Sequence, residues 1–246
     1  MKWINKHTNQ LTSIAPLAAF RILFGLLMFI STIRFLAKGW VDQLYINPNF
    51  YFTYYGFEWV KPLDATGMYV VFSIVALASL AIMLGWKYRI AAIVFFLSFS
   101  YVELLDKSNY LNHYYFVSIM AFLLILVPAN RKYALDVYFK SVTPLDKVPA
   151  WCINIFKLQL GIVYFYAGLA KLNPDWMLHA MPLKIWLPAH ADLPILGKLL
   201  TKEWAAYAFS WAGAIYDLCI PFLLLLPATR LFAFAAVVGF HVITRI

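Results

Sequence analysis

The stretch Ala65–Leu84, ATGMYVVFSIVALASLAIML, decides the class of fold. It runs for 20 residues without a charged side chain. A helix needs about 20 apolar residues to cross a hydrocarbon core roughly 30 Å thick. We therefore predict that these residues form a membrane-spanning helix.

The rest of the chain has the same composition. Of its 246 residues, 64% are hydrophobic and 13% are charged, whereas about a quarter of the residues in soluble domains are charged. We predict an all-α, polytopic transmembrane helical bundle of about seven spans. The apolar runs place these spans near Leu11–Ala37, Ala65–Leu84, Ile90–Leu105, His113–Val127, Trp151–Leu172, Trp204–Leu226 and Leu231 onward.

Charge gives an orientation. The formal net charge is +9, and the short basic turns all fall on one side if the N-terminus is cytoplasmic. In a membrane protein such an excess indicates orientation and contact with anionic lipid before it suggests nucleic acid, and we expect no nucleic-acid partner. The two cysteines lack metal-binding spacing, so we expect no metal site.

The connections predict one domain. We find no internal repeat, soluble linker or low-complexity segment, so residues 1–246 are interpreted as a single domain. The last apolar run reaches Ile246 with no loop after it, so either a helix ends the protein or the chain is a piece of a longer polypeptide. Between spans three and four, ELLDKSNYLNHYYF is semi-apolar, and we predict a semi-buried segment there.

Ionisable residues inside spans need a partner or a function, because each costs about 2.5–3.5 kcal/mol at mid-membrane. We expect Arg21 to be paired or bonded to backbone carbonyls, and Lys157 to form a structural ion pair with Asp217. The others in this class are Lys171 and His241. The segment before His113 also fits a solvated loop and a helix N-terminus capped by Asn112 or Ser108.

Lys171 ends the apolar and aromatic stretch IVYFYAGLAKLNPDW, Ile162–Trp176. On a helix it shares a face with Lys157, Tyr164 and Gly168. One interpretation is a lysine that extends its amine to the headgroups. Another is a general base in a partly desolvated pocket, beside aromatic rings that hold a flat ligand such as a quinone. Spacing leaves both open, and it leaves His241 open between a buried structural histidine and a reactive one.

Two motifs carry a family resemblance. LDKSNYLNHYYF, Leu105–Phe116, and IVYFYAGLAKLNPDW resemble the vitamin K-dependent γ-glutamyl carboxylase family, whose membrane part belongs to the wider HTTM group. AAFRILFG, MLGWKYRI, IYDLCIPFLLL and the pair Phe240-His241 support it. The resemblance covers essentially the whole chain in order.

The resemblance implies roles for particular residues. Lys171 is then the base that deprotonates reduced vitamin K, and His113 joins it as a catalytic residue. Asn112 pairs with His113 to orient or polarise the hydroquinone. Tyr110, Tyr164 and His241 complete the expected cofactor-binding group.

The resemblance also implies a reaction. Reduced vitamin K, as phylloquinol or menaquinol, reacts with O₂, and the strong base formed allows a peptide glutamate to be carboxylated with CO₂. No metal is required. The expected partners are the lipid bilayer, a lipid-soluble quinol and an exported Glu-containing peptide. The brevity of the chain suggests a bacterial inner-membrane protein with a periplasmic active site.

Departures from the family leave alternatives open. Ala170 stands where carboxylases often have a second lysine, and the large extra-membrane domain of eukaryotic members does not follow. Quinol epoxidation without carboxylation is therefore one outcome. A non-catalytic membrane module for maturation, export or immunity of a secreted peptide is the alternative function. Transport is weaker, since paired broken helices are lacking.

Overall fold

The computed structural model describes residues 9–194 and 197–243. The chain divides into two compact units, Met1–Phe156 and Lys157–Ile246. The interpretation of residues 1–246 as one domain stays a prediction.

The first unit is built mainly from long helices. Its elements are β1 (Leu11–Ser13), α1 (Ala15–Ala37), a π-helical turn (Asp42–Ile46), α2 (Ala65–Leu84), α3 (Tyr88–Leu105), a 3₁₀ turn (Lys107–Asn109), α4 (Asn112–Leu126), α5 (Leu135–Tyr138) and β2 (Lys147–Pro149). Helix α6 (Trp151–Ala170) starts in this unit and carries the chain into the second.

The second unit places short helices between long ones. After α6 come α7 (Pro174–Met177), α8 (Met181–Trp186), a 3₁₀ turn (Pro188–His190), α9 (Gly197–Leu200), α10 (Glu203–Leu225) and α11 (Arg230–Ile243).

The helices confirm an all-α, polytopic membrane protein. Five of them, α1, α2, α3, α6 and α10, are long and apolar enough to cross a bilayer. Helices α4 and α11 are apolar but shorter, with 15 and 14 residues. Every predicted span thus corresponds to a helix, while the number of crossings stays a prediction.

The first predicted span begins too early. Leu11–Ser13 is a short strand that pairs antiparallel with Lys147–Pro149. Helix α1 begins at Ala15, with Pro16 in its first turn. Proline is favoured there because the N–H groups of the first turn have no partner within the helix. Hydropathy extended the span to Leu11 because strand and helix are both apolar.

Arg21 links several backbone segments of the first unit by hydrogen bonds. It is fully buried. It donates to four backbone carbonyls, those of Ala129 at 3.2 Å, Ile82 at 2.7 Å, Met83 at 2.6 Å and Tyr133 at 2.6 Å. Gly85 follows α2 with a φ of 65°, and a Cβ there would lie 2.6 Å from Arg21 Nη1. Of the two expectations for Arg21, a paired charge or bonds to backbone carbonyls, the structure shows the second.

Gly168 brings α6 against α10 in the second unit. A Cβ at Gly168 would lie 2.7 Å from Leu218 Cγ and 2.9 Å from the Leu218 backbone nitrogen. Only glycine permits this approach without moving a backbone. Lys171 comes about one turn after Gly168, and Asp217 directly precedes Leu218, so the close approach sets up a contact between these two side chains.

Candidate active site

Lys171 is enclosed on three sides. Its ammonium forms an ion pair with Asp217, donates to the Ala167 carbonyl at 3.2 Å and lies 5.3 Å from the centre of the Trp176 ring. The Lys171 and Asp217 side chains are 20% and 7% exposed. The amine is therefore held by a carboxylate, a carbonyl and an aromatic face instead of extending freely to the headgroups.

The predicted Lys157–Asp217 pair is wrong, since Asp217 pairs with Lys171 and Lys157 is exposed. The prediction fails because the distance of Asp217 from the start of α10 does not by itself give its level relative to α6. Asp217 stands fourteen residues after Glu203, which is about 21 Å along a helix. The first turns of α10 pack against the short helices that follow α6, through contacts such as Lys184 to Glu203 at 2.9 Å. Asp217 therefore comes level with the C-terminal end of α6.

The Asn-Pro break after Lys171 positions Trp176. The Asn173 side chain accepts a hydrogen bond from Trp176 N at 2.9 Å and donates to the Ala170 carbonyl at 2.8 Å. Trp176 Nε1 donates to the Ser210 carbonyl at 2.9 Å, and Ser210 Oγ donates back to the Trp176 carbonyl at 2.5 Å. These bonds fix the indole beside the Lys171 amine.

A row of aromatic rings lies next to the ion pair. The rings of Tyr164 on α6 and Tyr216 on α10 are 6.0 Å apart and nearly perpendicular. Tyr216 stacks on Phe240 of α11 at 4.2 Å. Tyr216 directly precedes Asp217 on α10, so the row and the ion pair share the same two helices. Tyr164, predicted to bind a cofactor, lies at one end of this row.

His241 follows Phe240 near the end of α11. Its ring is 5.8 Å from the Phe240 ring, and its Nδ1 donates to the Val237 carbonyl at 2.8 Å. The side chain is exposed, which does not match the interpretation of a buried structural histidine. Its predicted role in cofactor binding stays a prediction.

In the first unit, Asn112 and His113 occupy the first turn of α4. Both side chains are exposed, and the His113 ring lies 5.5 Å from that of Tyr114. Tyr110 is 45% exposed. The N-cap position of α4 is Leu111, so the expected capping by Asn112 or Ser108 is wrong. The amide of Asn112 and the imidazole of His113 therefore face outward at a helix end.

Asp106 organises the turn that precedes them. It is buried, with 6% exposure, and its carboxylate accepts hydrogen bonds from Ser108 N at 2.9 Å and Phe52 N at 3.3 Å. Lys107 N donates to the Phe52 carbonyl at 2.7 Å. The expected semi-buried segment is thus a short turn with one buried residue. It is joined to the loop between α1 and α2.

A cleft opens beside Tyr114 within the first unit. Its volume is about 450 Å³ with the solvent at its mouth included, and its walls contain Phe35, Phe72, Phe99, Tyr45 and Glu103. Burial raises the pKa of Tyr45, and the nearby Glu103 carboxylate raises it further.

Sequence reasoning found Lys171 but missed two of its neighbours. Trp176 stood inside the quoted motif, and its place after Asn-Pro was the available signal. Asp217 was recognised as costly but assigned to another lysine. In residues 9–194 and 197–243, no three His, Cys, Asp or Glu side chains cluster to hold a metal ion.

Comparison with known families decides the relationship. The model of the HTTM domain matches the chain over residues 9–246. The chain belongs to the HTTM family. This is the domain found in vitamin K-dependent γ-glutamyl carboxylase, which confirms the resemblance carried by the two motifs. No solved structure matches this HTTM chain.

The predicted site residues of this HTTM chain lie in both units. Lys171, Tyr164 and His241 belong to the second. Asn112, His113 and Tyr110 belong to the first. Within the second unit the structure brings Tyr164 and Lys171 to the same pair of helices and adds Asp217 and Trp176.

Proposed function

We propose that this chain is an integral-membrane, quinol-dependent oxygenase that converts reduced vitamin K or menaquinol and O₂ to the quinone epoxide and water. The observation that carries the proposal is the Lys171 amine, held by Asp217 and Trp176 at the end of α6. Membership of the HTTM family supports the same chemistry.

The residues around Lys171 suit a flat quinol. Tyr164, Tyr216 and Phe240 form a continuous aromatic row, and aromatic faces favour stacked or edge contacts with another ring. A quinol also carries hydroxyl groups, which need a base and hydrogen-bond partners. When bound, it supplies the electrons that reduce O₂.

Lys171 must be a neutral amine when it accepts a proton. The Asp217 carboxylate contacts the ammonium directly, so it is the acceptor to which Nζ can pass a proton beforehand. In this proposal Asp217 positions Lys171 and takes up its proton, while Trp176 limits access of water.

The family resemblance assigns Asn112 and His113 to the same reaction. Their outward-facing amide and imidazole can donate hydrogen bonds to a quinol oxygen. The topology deduced from the basic loops puts His113 on the same, non-cytoplasmic side as Lys171. A periplasmic site would receive quinol from the lipid and an exported peptide from outside.

The test is epoxide formation by the purified chain in liposomes supplied with reduced vitamin K and O₂. Lys171→Ala should lower the rate at least about a hundredfold, as expected on losing a general base. Lys157→Ala is the matched control, because Lys157 is an exposed lysine on the same helix, and it should retain activity. The proposal fails if the wild-type chain forms no epoxide or if Lys171→Ala matches it.

A second experiment distinguishes a carboxylase from an enzyme that only forms epoxide. A Glu-containing peptide and labelled bicarbonate are added to the active liposomes. Label in the peptide indicates γ-carboxylation, and epoxide without label indicates a bare epoxidase. A stable protein complex that survives substitution of Lys171 and His113, without epoxide, would favour the non-catalytic module.

A further inference from the structure

The loop between α1 and α2 contains an unusually aromatic segment. Residues Phe50–Trp59, the aromatic loop, read FYFTYYGFEW; seven of the ten are aromatic and Glu58 alone is charged. Five of the seven rings are exposed: Tyr55 is 99% exposed, Trp59 76%, Phe50 68%, Phe52 55% and Phe57 41%. This is a patch of exposed rings outside the spanning helices.

The aromatic loop is held in place by hydrogen bonds. Phe52 bonds through its N–H to Asp106 and through its carbonyl to Lys107. The Tyr51 hydroxyl donates to the Tyr45 carbonyl at 2.9 Å. A turn closed by Phe57 N and the Tyr54 carbonyl at 3.0 Å folds the tip. The exposure of the rings is therefore a fixed property of the fold.

The position of the loop identifies what covers it. The chain enters from α1 and leaves into α2, and both are long and apolar enough to cross a bilayer. The loop thus lies where spanning helices leave the hydrocarbon. Lys38, Lys61 and Lys107 are exposed around it. Tyrosine and tryptophan concentrate at this level of membrane proteins because their rings are apolar and their tips polar, and lysines there meet lipid phosphates.

We propose that the aromatic loop is an interfacial membrane anchor, whose rings lie among the lipid headgroups and the adjoining acyl chains. Because Phe52 is bonded to Asp106 and Lys107, the anchor also fixes the depth of the turn that leads to Asn112 and His113. This inference does not depend on the proposed enzymatic activity.

Depth-dependent quenching tests the anchor. In a chain with Cys152→Ala and Cys219→Ala, a bimane label is placed on Tyr55→Cys, and the protein is reconstituted with lipids carrying a nitroxide near the headgroup or near the chain end. The headgroup-proximal nitroxide should quench this label at least about twofold more strongly, as for groups at the headgroup boundary.

Leu77→Cys is the matched control, since Leu77 is exposed near the middle of α2, and its label should show the reverse order. Two results overturn the proposal. Aqueous iodide quenching the Tyr55 label while neither nitroxide does would place the loop in water, as a protein-docking surface requires. Quenching best by the deep nitroxide would make it an inserted segment instead.

Discussion

The Lys171–Asp217 pair is the residue-scale feature on which the site depends. Taking two opposite charges out of water is costly, and removing one of them leaves the other uncompensated. Asp217 is the more buried partner, with 7% of its side chain exposed. Loss of Lys171 would therefore leave the Asp217 carboxylate less solvated than loss of Asp217 would leave the Lys171 amine.

Lys171→Met should lower the free energy of unfolding by about 3–5 kcal/mol, because it leaves the Asp217 carboxylate buried without a counter-charge. The double variant Lys171→Met with Asp217→Leu should recover most of that loss. Thermal denaturation in detergent measures both. Lys157→Met is the control and should change stability by less than about 1 kcal/mol, as an exposed site.

A stable Lys171→Met single variant would show that the pair is not a buried ion pair in the membrane protein. The double variant also serves the activity test. If it regains stability but forms no epoxide, the loss of activity comes from the missing Lys171–Asp217 pair and not from misfolding.

The sequence showed which residues are costly but not which of them meet. Lys171, Asp217 and Arg21 were all recognised as groups that need partners. Arg21 was assigned correctly because backbone carbonyls at helix ends are abundant. Asp217 was assigned to the wrong lysine because pairing depends on which residues of α6 and α10 lie at the same level. The first turns of α10 pack beside the short helices, and hydropathy does not show how far this moves Asp217 along α6.

At the scale of elements, the approach of α6 to α10 depends on a glycine. Gly168 lies against Leu218, including its backbone nitrogen. Gly161, two turns earlier on α6, has more room, since a Cβ there would lie 3.7 Å from Pro221 Cβ. Comparing alanine substitutions at the two glycines therefore distinguishes the effect of close packing from that of helix propensity.

Gly168→Ala should cost about 1–3 kcal/mol, as overpacking does, and lower epoxide formation by separating Lys171 from Asp217. Gly161→Ala should be neutral or stabilising by up to about 1 kcal/mol, since alanine favours helix. Melting midpoints and epoxide rates of both variants check this. Equal behaviour of the two would remove the close approach as the cause.

The long helices could be predicted because each one is a long apolar run in the sequence. The short elements could not. Leu11–Ser13 becomes a strand only by pairing with Lys147–Pro149, a partner far along the chain. The helices between Lys171 and Glu203 have 4 to 6 residues, too few for a periodic signal. The Asn-Pro break before Trp176 was therefore the available signal of their effect on the site.

At the scale of the whole molecule, orientation decides which face of the membrane the chemistry uses. Basic residues in the loop after α4 include Arg131, Lys132 and Lys140, and loops rich in such residues remain cytoplasmic. We therefore predict that the turn before α4 faces the opposite, non-cytoplasmic side. Ser108 and Ser141 are exposed serines in the two connections.

Single cysteines at these serines test the orientation in cells. With Cys152→Ala and Cys219→Ala in the background, Ser108→Cys should react with a membrane-impermeant maleimide in intact cells. Ser141→Cys should react only after permeabilisation. Labelling in the opposite order would reverse the topology, and it would place the Asn112–His113 pair on the cytoplasmic face.

The motif that contains the buried Asp106 combines a residue that shapes a turn with residues that present polar side chains. The Asp106 carboxylate is occupied by backbone N–H groups of Ser108 and Phe52, so this residue shapes the turn, whereas Asn112 and His113 present their groups outward. A family member that kept the aspartate but had lost the Asn-His pair would retain the architecture and lack the proposed chemistry. Under the proposed chemistry, the two parts of the motif would sort HTTM chains into enzymes and structural relatives.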